Sequence, residues 1–200
     1  MKIKNPGRLS FLSLLALSIF LLAACASGPR PEGQSLHPAE HGAKGYSSIG
    51  TDHLFEDENV RISIRHVKKG EAGAAPFFEG LLEKDYAVFK LAIENKSTGS
   101  VIYNTAYTVL TSDAGDYEKP LDFTDLYDIA GDDRALAGLK GKFYDLNATV
   151  APGERMEKLL IFRPLSIEAT EAGVAIKEIY IGTSTSRLSF PFAFKGDGPE

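Results

Sequence analysis

The chain contains almost no cysteine: Cys25 is the single one among 200 residues, and tryptophan is absent. One cysteine cannot form an intramolecular disulfide, and it excludes every metal site built from several thiolates. Without tryptophan and a second cysteine, an antibody-type core of Cys…Trp…Cys cannot form either.

Positive charge is also in short supply. The 22 Lys and Arg residues face 27 Asp and Glu, which gives a formal net charge of −5. Removal of the first 24 residues would leave 19 basic against 27 acidic residues, or −8. Nucleic-acid binding depends on Lys and Arg that neutralise phosphates, and anionic lipid surfaces attract polybasic segments. This charge excludes a nucleic-acid partner and argues against a polybasic membrane binder.

Catalytic patterns are missing as well. The sequence has no Gly-x-Ser-x-Gly motif that would place a serine nucleophile. Of four histidines, only His53 and His66 lie in or beside the segments with strand character, and we expect His66 to point outward to solvent. The single thiol is assigned to lipid attachment below, which leaves no cysteine–histidine pair. We therefore predict that the protein is not an enzyme and needs no cofactor.

One long apolar run is present, over residues 9–24, and it follows a basic N-terminus. As a helix it would span ~24 Å, which is short of the ~30 Å hydrocarbon core of a bilayer. The run ends in the small residues Ala23 and Ala24, as a secretory cleavage site requires. We predict a signal peptide over residues 1–24 rather than a membrane-spanning helix.

The four residues Leu22-Ala23-Ala24-Cys25 resemble the lipobox of bacterial lipoproteins. The resemblance implies a diacylglyceryl group on the Cys25 thiol, cleavage between Ala24 and Cys25, and often a further acyl group, such as palmitate, on the new amino terminus. Each buried methylene contributes ~0.8 kcal/mol, so two or more chains make a stable membrane anchor.

The same resemblance bears on location. Ala26 follows the cysteine, where an aspartate is associated with retention in the inner membrane. We therefore expect a lipid-anchored protein of the bacterial cell envelope, with the outer membrane facing the periplasm favoured and the cell surface as the alternative.

The segment after the cysteine, residues 25–50, is rich in Pro and Gly and poor in large apolar residues. Such a segment cannot bury enough surface to offset its ordering entropy. We predict a flexible tether over residues 25–50, one folded domain over residues 51–195, and a disordered tail over residues 196–200.

The folded segment shows strand patterns separated by turn residues. Apolar residues alternate with polar ones or form short runs in seven stretches: 60–67, 86–94, 101–110, 147–150, 156–162, 178–181 and 188–194. Six or seven strands with little helix indicate an antiparallel sandwich. Pro191 cannot donate a ladder hydrogen bond, so it predicts that the last strand lies at an edge.

Two stretches depart from this alternation, so we expect one or two short helical insertions. Residues 77–82 are apolar without alternating, which suits a short helix or a packed loop. Asp133 could cap a short helix over residues 134–137.

Three features resemble bacterial envelope domains with a telokin-like, immunoglobulin-type sandwich, many of them lipoproteins of unknown function. These features are the strand over 88–95 with its turn, the turn residues 113–117, and Ala151-Pro152-Gly153-Glu154 before a hydrophobic strand. The resemblance covers roughly residues 55–195, although residues 121–146 depart from the compact pattern. It implies an all-β, antiparallel immunoglobulin-like β-sandwich, and no activity.

Acidic residues are densest between residues 113 and 133, where eight acids face one base, Lys119. Calcium takes six to eight oxygen ligands, and five residues are candidate ligands for a divalent cation: Asp122, Asp125, Asp128, Asp132 and Asp133. Their spacing lacks the alternate-position pattern of a calcium loop, and the first three suit one face of a helix. A solvated acidic loop that maintains solubility is the interpretation we favour.

Aromatic residues cluster around the same segment: Tyr103, Tyr107, Tyr117, Phe123, Tyr127, Phe143 and Tyr144. Core packing is their commoner use, although an aromatic surface edged with acids can also contact a protein or a sugar.

Two functional hypotheses follow. The first is a non-enzymatic interaction or assembly module that presents the sandwich to an envelope protein partner. The alternative is a lipoprotein that binds a ligand or a divalent cation such as calcium through the acidic, aromatic-rich segment 113–146.

Overall fold

The computed structural model describes residues 33–71, 76–131, 133–137 and 139–196. The predicted signal peptide, Cys25, the tether residues up to 32, Asp132 and residues 197–200 lie outside the described residues. Within the described part, twelve β-strands form two antiparallel sheets, accompanied by three short α-helices and one 3₁₀ turn over Thr105–Tyr107.

The larger sheet, called sheet I here, has seven strands. Its strands are β1 (Gln34–Pro38), β6 (Val101–Asn104), β7 (Thr108–Ser112), β8 (Tyr117–Glu118), β9 (Asn147–Val150), β11 (Glu171–Ile181) and β12 (Ser184–Gly196). The main order is β1-β12-β11-β6-β9, while β7 pairs with both β11 and β8.

The smaller sheet, sheet II, has five strands in the order β10-β5-β4-β3-β2. Their bounds are β2 (Tyr46–Ile49), β3 (Asp52–Glu56), β4 (Val60–His66), β5 (Ala87–Asn95) and β10 (Arg155–Phe162). Every ladder in sheet II is antiparallel.

The two sheets pack face to face over one hydrophobic core. The strand β4 shows why: Val60, Ile62 and Ile64 point inward and are fully buried, whereas Arg61 between them is exposed. Side chains alternate across a strand, so this pattern buries one face of the sheet. The Phe89 ring of sheet II packs against Phe192 of sheet I, with 5.1 Å between ring centroids. The predicted antiparallel sandwich is confirmed at the level of two packed sheets.

A second, smaller core lies on the outer face of sheet II, where three helices cover part of it. These are α1 (Pro76–Glu83), α2 (Phe123–Ala130) and α3 (Asp133–Leu136). The buried members of this helical layer are Val67, Phe78, Leu81, Leu82, Val88, Leu121, Leu126, Leu136, Leu139, Phe143 and Ile161. The predicted short helical insertions are therefore present, and residues 77–82 form a helix rather than a loop.

Part of the tether prediction is wrong, because β1 and β2 lie inside residues 25–50. Strand β1 pairs with β12 through five residue pairs, from Gln34↔Gly196 to Pro38↔Phe192. Leu36 and Ser35 are each only 3% exposed. The Pro and Gly content of this segment concealed two short strands. Strand β1 pairs with the distant strand β12, and β2 forms a hairpin with β3, the next strand along the chain.

The edge-strand prediction for Pro191 is also wrong. Strand β12 lies between β1 and β11. The Pro191 carbonyl accepts hydrogen bonds from the Ala39 backbone N–H at 2.9 Å and from His53 Nε2 at 2.7 Å. The amide and the carbonyl of one strand residue point toward the same neighbouring strand. Pro191 has no amide N–H to donate, and this side of the residue faces the point where β1 ends, at Pro38. The proline therefore interrupts no ladder bond.

Candidate functional sites on the sandwich

The acidic segment uses several of its carboxylates to hold backbone in place. Asp122 is the N-cap of α2: its carboxylate accepts the Asp125 N–H at 2.9 Å, and the Asp125 carboxylate accepts the Asp122 N–H at 3.2 Å. This reciprocal capping box satisfies donors that a helix start leaves unpaired. Asp125 also pairs with Arg163 at 3.3 Å.

Two further acids tie loops of sheet I together. The Asp113 carboxylate accepts bonds from the Thr170 hydroxyl at 2.6 Å and from the Glu171 N–H at 3.1 Å. The Thr170 hydroxyl contributes most to holding the pKa of Asp113 below its usual range. Asp116 accepts the Ser112 hydroxyl at 2.5 Å and the Ser166 N–H at 2.9 Å. These acids have structural partners within the chain.

The candidate cation ligands whose side chains are described do not converge on one site. Asp122 and Asp125 form the capping box, and Asp128 is exposed on α2. The side chains of Asp132 and Asp133 lie outside the described residues, and Asp133 itself begins α3 instead of preceding it. Within the described ranges, no group of three or more His, Cys, Asp or Glu could hold a metal ion. Cation binding that uses Asp132 and Asp133 stays a prediction.

The aromatic cluster divides into a buried and an exposed group. Tyr103 and Tyr144 are almost fully buried, with ring centroids 5.0 Å apart, and Tyr103 shares a 2.7 Å hydroxyl hydrogen bond with Thr108. Burial raises the pKa of both tyrosines. Phe143 is also buried, so core packing accounts for these three. The exposed members are Tyr107, Tyr117, Phe123 and Tyr127, each at least 40% exposed.

His53 joins the two sheets and is fully buried. Its Nε2 lies 2.7 Å from the Pro191 carbonyl of sheet I, so Nε2 carries the proton and donates. Burial lowers the pKa of His53, because an imidazolium would lose its hydration here. Its ring packs edge-on against Phe192, with centroids 5.3 Å apart. The histidine is a packed structural bridge.

A cleft of about 450 Å³ opens at one end of the sandwich. We call it the end cleft. The two sheets separate there, between β1 and β12 on one side and the end of β4 and the start of β5 on the other. Its lining residues are Gly33, Gln34, Ser35, Leu36, His66, Val67, Lys68, Lys69, Leu82, Asp85, Tyr86, Ala87, Leu165 and Phe194.

The prediction that His66 points to solvent is wrong. His66 has the same strand phase as Ile62 and Ile64, so its side chain points toward the space between the sheets. Its ring lies 5.4 Å from that of Phe89 and lines the end cleft. Strict counting of the alternation from Val60 would have placed it correctly.

A second cleft, of about 300 Å³, lies beside the helical layer on sheet II and is edged with charge. Arg65 and Lys90 are direct cross-strand neighbours there. Each has an acidic partner: Arg65 pairs with Glu71 at 2.8 Å, and Lys90 with Glu157 at 3.2 Å. Surface ion pairs of this kind contribute ~0–1 kcal/mol each. Lys142 and Lys158 also line this cleft, so its described lining has four cations and two carboxylates.

The outer face of sheet I carries exposed aromatic and aliphatic side chains. Ile102 of β6 and Tyr180 of β11 are cross-strand partners and are 42% and 40% exposed. Tyr117, which is 54% exposed, contacts Lys177, whose Nζ lies 4.9 Å from the ring centroid and donates to the hydroxyl at 2.7 Å. We call Ile102, Tyr117, Lys177 and Tyr180 the tyrosine face.

None of the helices in the described ranges is long and apolar enough to cross a bilayer.

The comparisons with known proteins are distant. No model of a protein family matches the sequence, and no curated protein matches it. Solved structures with some likeness include the yjhA protein of Bacillus subtilis, at 12% identity over 67% of this chain and 78% of that one, with a TM-score of 0.35. The candidate lipoprotein ycdA of Bacillus subtilis subsp. subtilis str. 168 shares 11% identity over 73% of this chain and 39% of that one, with a TM-score of 0.40.

A functionally unknown protein from Listeria monocytogenes EGD-e shares 15% identity over 81% of this chain and 85% of that one, with a TM-score of 0.37. All three TM-scores lie below 0.5, so these likenesses assign neither a family nor an activity.

Proposed function

We propose that this protein is a non-enzymatic, lipid-anchored component of the bacterial cell envelope that presents an immunoglobulin-like sandwich to a protein partner. The anchor is supported by the lipobox-like sequence Leu22-Ala23-Ala24-Cys25 after a short apolar run. Acylation of Cys25 would hold the domain at a membrane, with the outer membrane favoured.

The tyrosine face is the observation that carries the interaction role. Tyrosine is enriched at the centres of protein interfaces, and this face presents the exposed Tyr117 and Tyr180 beside the exposed Ile102. Ile102 and Tyr180 lie side by side on regular strands of sheet I, so their positions are fixed by ladder hydrogen bonds. A rigid platform of this kind can bind a partner at low cost in conformational entropy.

Site-specific photocrosslinking in intact cells tests the interaction role. A photoreactive amino acid replaces Ile102, and in a matched control it replaces Ile49. The control residue is 64% exposed on the edge strand β2, away from the tyrosine face. We expect a discrete crosslinked protein adduct from position 102 and none from position 49.

The same cells are fractionated with the wild-type chain and with Cys25→Ser. We expect wild-type protein in the membrane fraction, and Cys25→Ser either soluble or left with an uncleaved leader. Normal processing and membrane attachment of Cys25→Ser would contradict the anchor. Equal adducts from positions 102 and 49, or none from 102, would contradict the role of the tyrosine face.

A further inference from the structure

We propose that the end cleft binds an amphiphilic anion, namely a single acyl chain that ends in a carboxylate. The cleft has an apolar floor and a lysine-bearing rim. None of its residues belongs to the tyrosine face.

The floor of the cleft is apolar and comes from several elements. Leu36 and Phe194 belong to sheet I, Leu82 to α1, Ala87 to sheet II, and Leu165 to the connection between β10 and β11. Leu165 and Phe194 pack on the main core and are partly exposed to the cleft, so the core reaches the surface here. A volume of about 450 Å³ lies within the range of roughly 300–1,000 Å³ that is usual for small-molecule sites.

The rim supplies the positive charge. Lys68 and Lys69 line the cleft, and among its described lining residues Asp85 is the one carboxylate. Lys69 Nζ lies 3.2 Å from Asp85 Oδ1, but its side chain is 60% exposed, so this pair is weak and a ligand carboxylate can share the ammonium group. Glu71, which follows the rim, pairs with Arg65 at 2.8 Å and also accepts the Lys68 backbone N–H at 3.3 Å. The lining therefore has a net positive charge in a protein whose overall charge is −5.

The position of the cleft agrees with a ligand from a membrane. Gly33 lines the cleft and lies eight positions after Cys25 in the sequence. Fully extended chain reaches at most ~3.6 Å per residue, or ~29 Å over this distance. An acylated Cys25 would keep the cleft within that distance of the bilayer, where single-chain carboxylates partition. This point rests on the proposed anchor, whereas the chemistry of the cleft does not.

Calorimetric titration of the unacylated chain, residues 25–200 with Cys25→Ser, tests the inference. The probes share a twelve-carbon tail: dodecanoate, dodecanol and dodecyltrimethylammonium, all below the concentration at which they form micelles. We expect dodecanoate to bind with a stoichiometry of one and about tenfold more tightly than the other two, as expected for a charge-assisted contact.

Matched variants distinguish the contribution of the rim lysines to binding from that of the apolar floor. Lys68→Gln combined with Lys69→Gln should weaken dodecanoate binding about tenfold and leave dodecanol binding unchanged. Leu165→Glu should weaken binding of both. Lys119→Gln, an exposed lysine outside the cleft, is the control and should change neither. A thermal melt of each variant verifies that it is folded.

Absence of dodecanoate binding, equal affinity for the three probes, or full affinity in the double lysine variant would overturn the proposal. Because the titration uses a chain without lipid, its failure is distinct from failure of the anchor, which membrane fractionation reads separately.

Discussion

The outer faces of the two sheets differ in whether other elements cover them. On sheet II, the helical layer covers the outer side of β5 and β10, and Val88 and Ile161 are fully or almost fully buried beneath it. On sheet I, the tyrosine face is left open. Both faces carry large apolar side chains, but among the described residues only the face of sheet II is covered by other elements. The difference indicates that the covered face contributes to stability and the open face is available for contact.

The burial patterns of strands β5 and β11 reflect this difference. Strand β5 is buried on both faces, with Val88 outward and Phe89 inward. Strand β11 alternates, with Ile179 and Ile181 in the core and Tyr180 exposed between them. A strand buried on both sides reads as a nearly continuous apolar run, whereas one with a solvated face alternates. The comparison predicts three effects of decreasing size.

The largest effect is expected inside the helical layer. Leu126→Ala removes a fully buried side chain of α2 and leaves a cavity, so we expect a loss of about 2–5 kcal/mol in the free energy of unfolding. Chemical denaturation measures it. Leu146→Ala, at a leucine that is 70% exposed, is the control and should change stability by less than about 0.5 kcal/mol. Similar losses in both variants would contradict the assignment of α2 to a core.

A smaller effect is expected where α2 begins. Asp122→Ala removes the carboxylate that accepts the Asp125 N–H, and loss of such a cap costs about 0.5–2 kcal/mol. Asp128→Ala removes an exposed acid from the same helix without a cap contact. If the two variants have the same denaturation midpoint, the capping box does not stabilise the helical layer.

The smallest effect on stability is expected on the tyrosine face. Tyr180→Ser should change the free energy of unfolding by no more than about 0.5 kcal/mol, because the side chain is substantially exposed and has no role in the core. The same variant should weaken the crosslinked adduct at position 102. Destabilisation as large as that of Leu126→Ala would mean that the open face is structural after all.

Strands with a clear period were predictable because their pattern is local. The alternation of Val60, Ile62 and Ile64 and the apolar residues within 86–94 each predict a strand. Strand β1 was not predictable in this way, because its partner strand ends at Gly196, far along the chain. Strand β2 pairs locally with β3, but its residues Tyr46–Ile49 are mostly exposed and do not alternate apolar with polar.

The candidate sites were harder to predict than the strands. The density of acidic residues suggested a binding site in the acidic segment. In the structure, the carboxylates of Asp113 and Asp122 instead accept hydrogen bonds from backbone amides. The end cleft has no local signature, since Leu36, Lys68 and Phe194 meet only after the sheets have packed. The adjacent pair Lys68-Lys69 after a strand was the one visible signal.

The pairing of Gln34 with Gly196 would allow a circular permutant of this fold. Because the two ends of the folded chain lie on neighbouring strands, a short linker could join them, and new ends could open in the turn at Gly153, which is exposed. Such a circular permutant keeps every strand neighbour. With the proposed lipid anchor fused to the new N-terminus, the permutant would be attached from a different part of the surface, and the sandwich would be turned over relative to the bilayer.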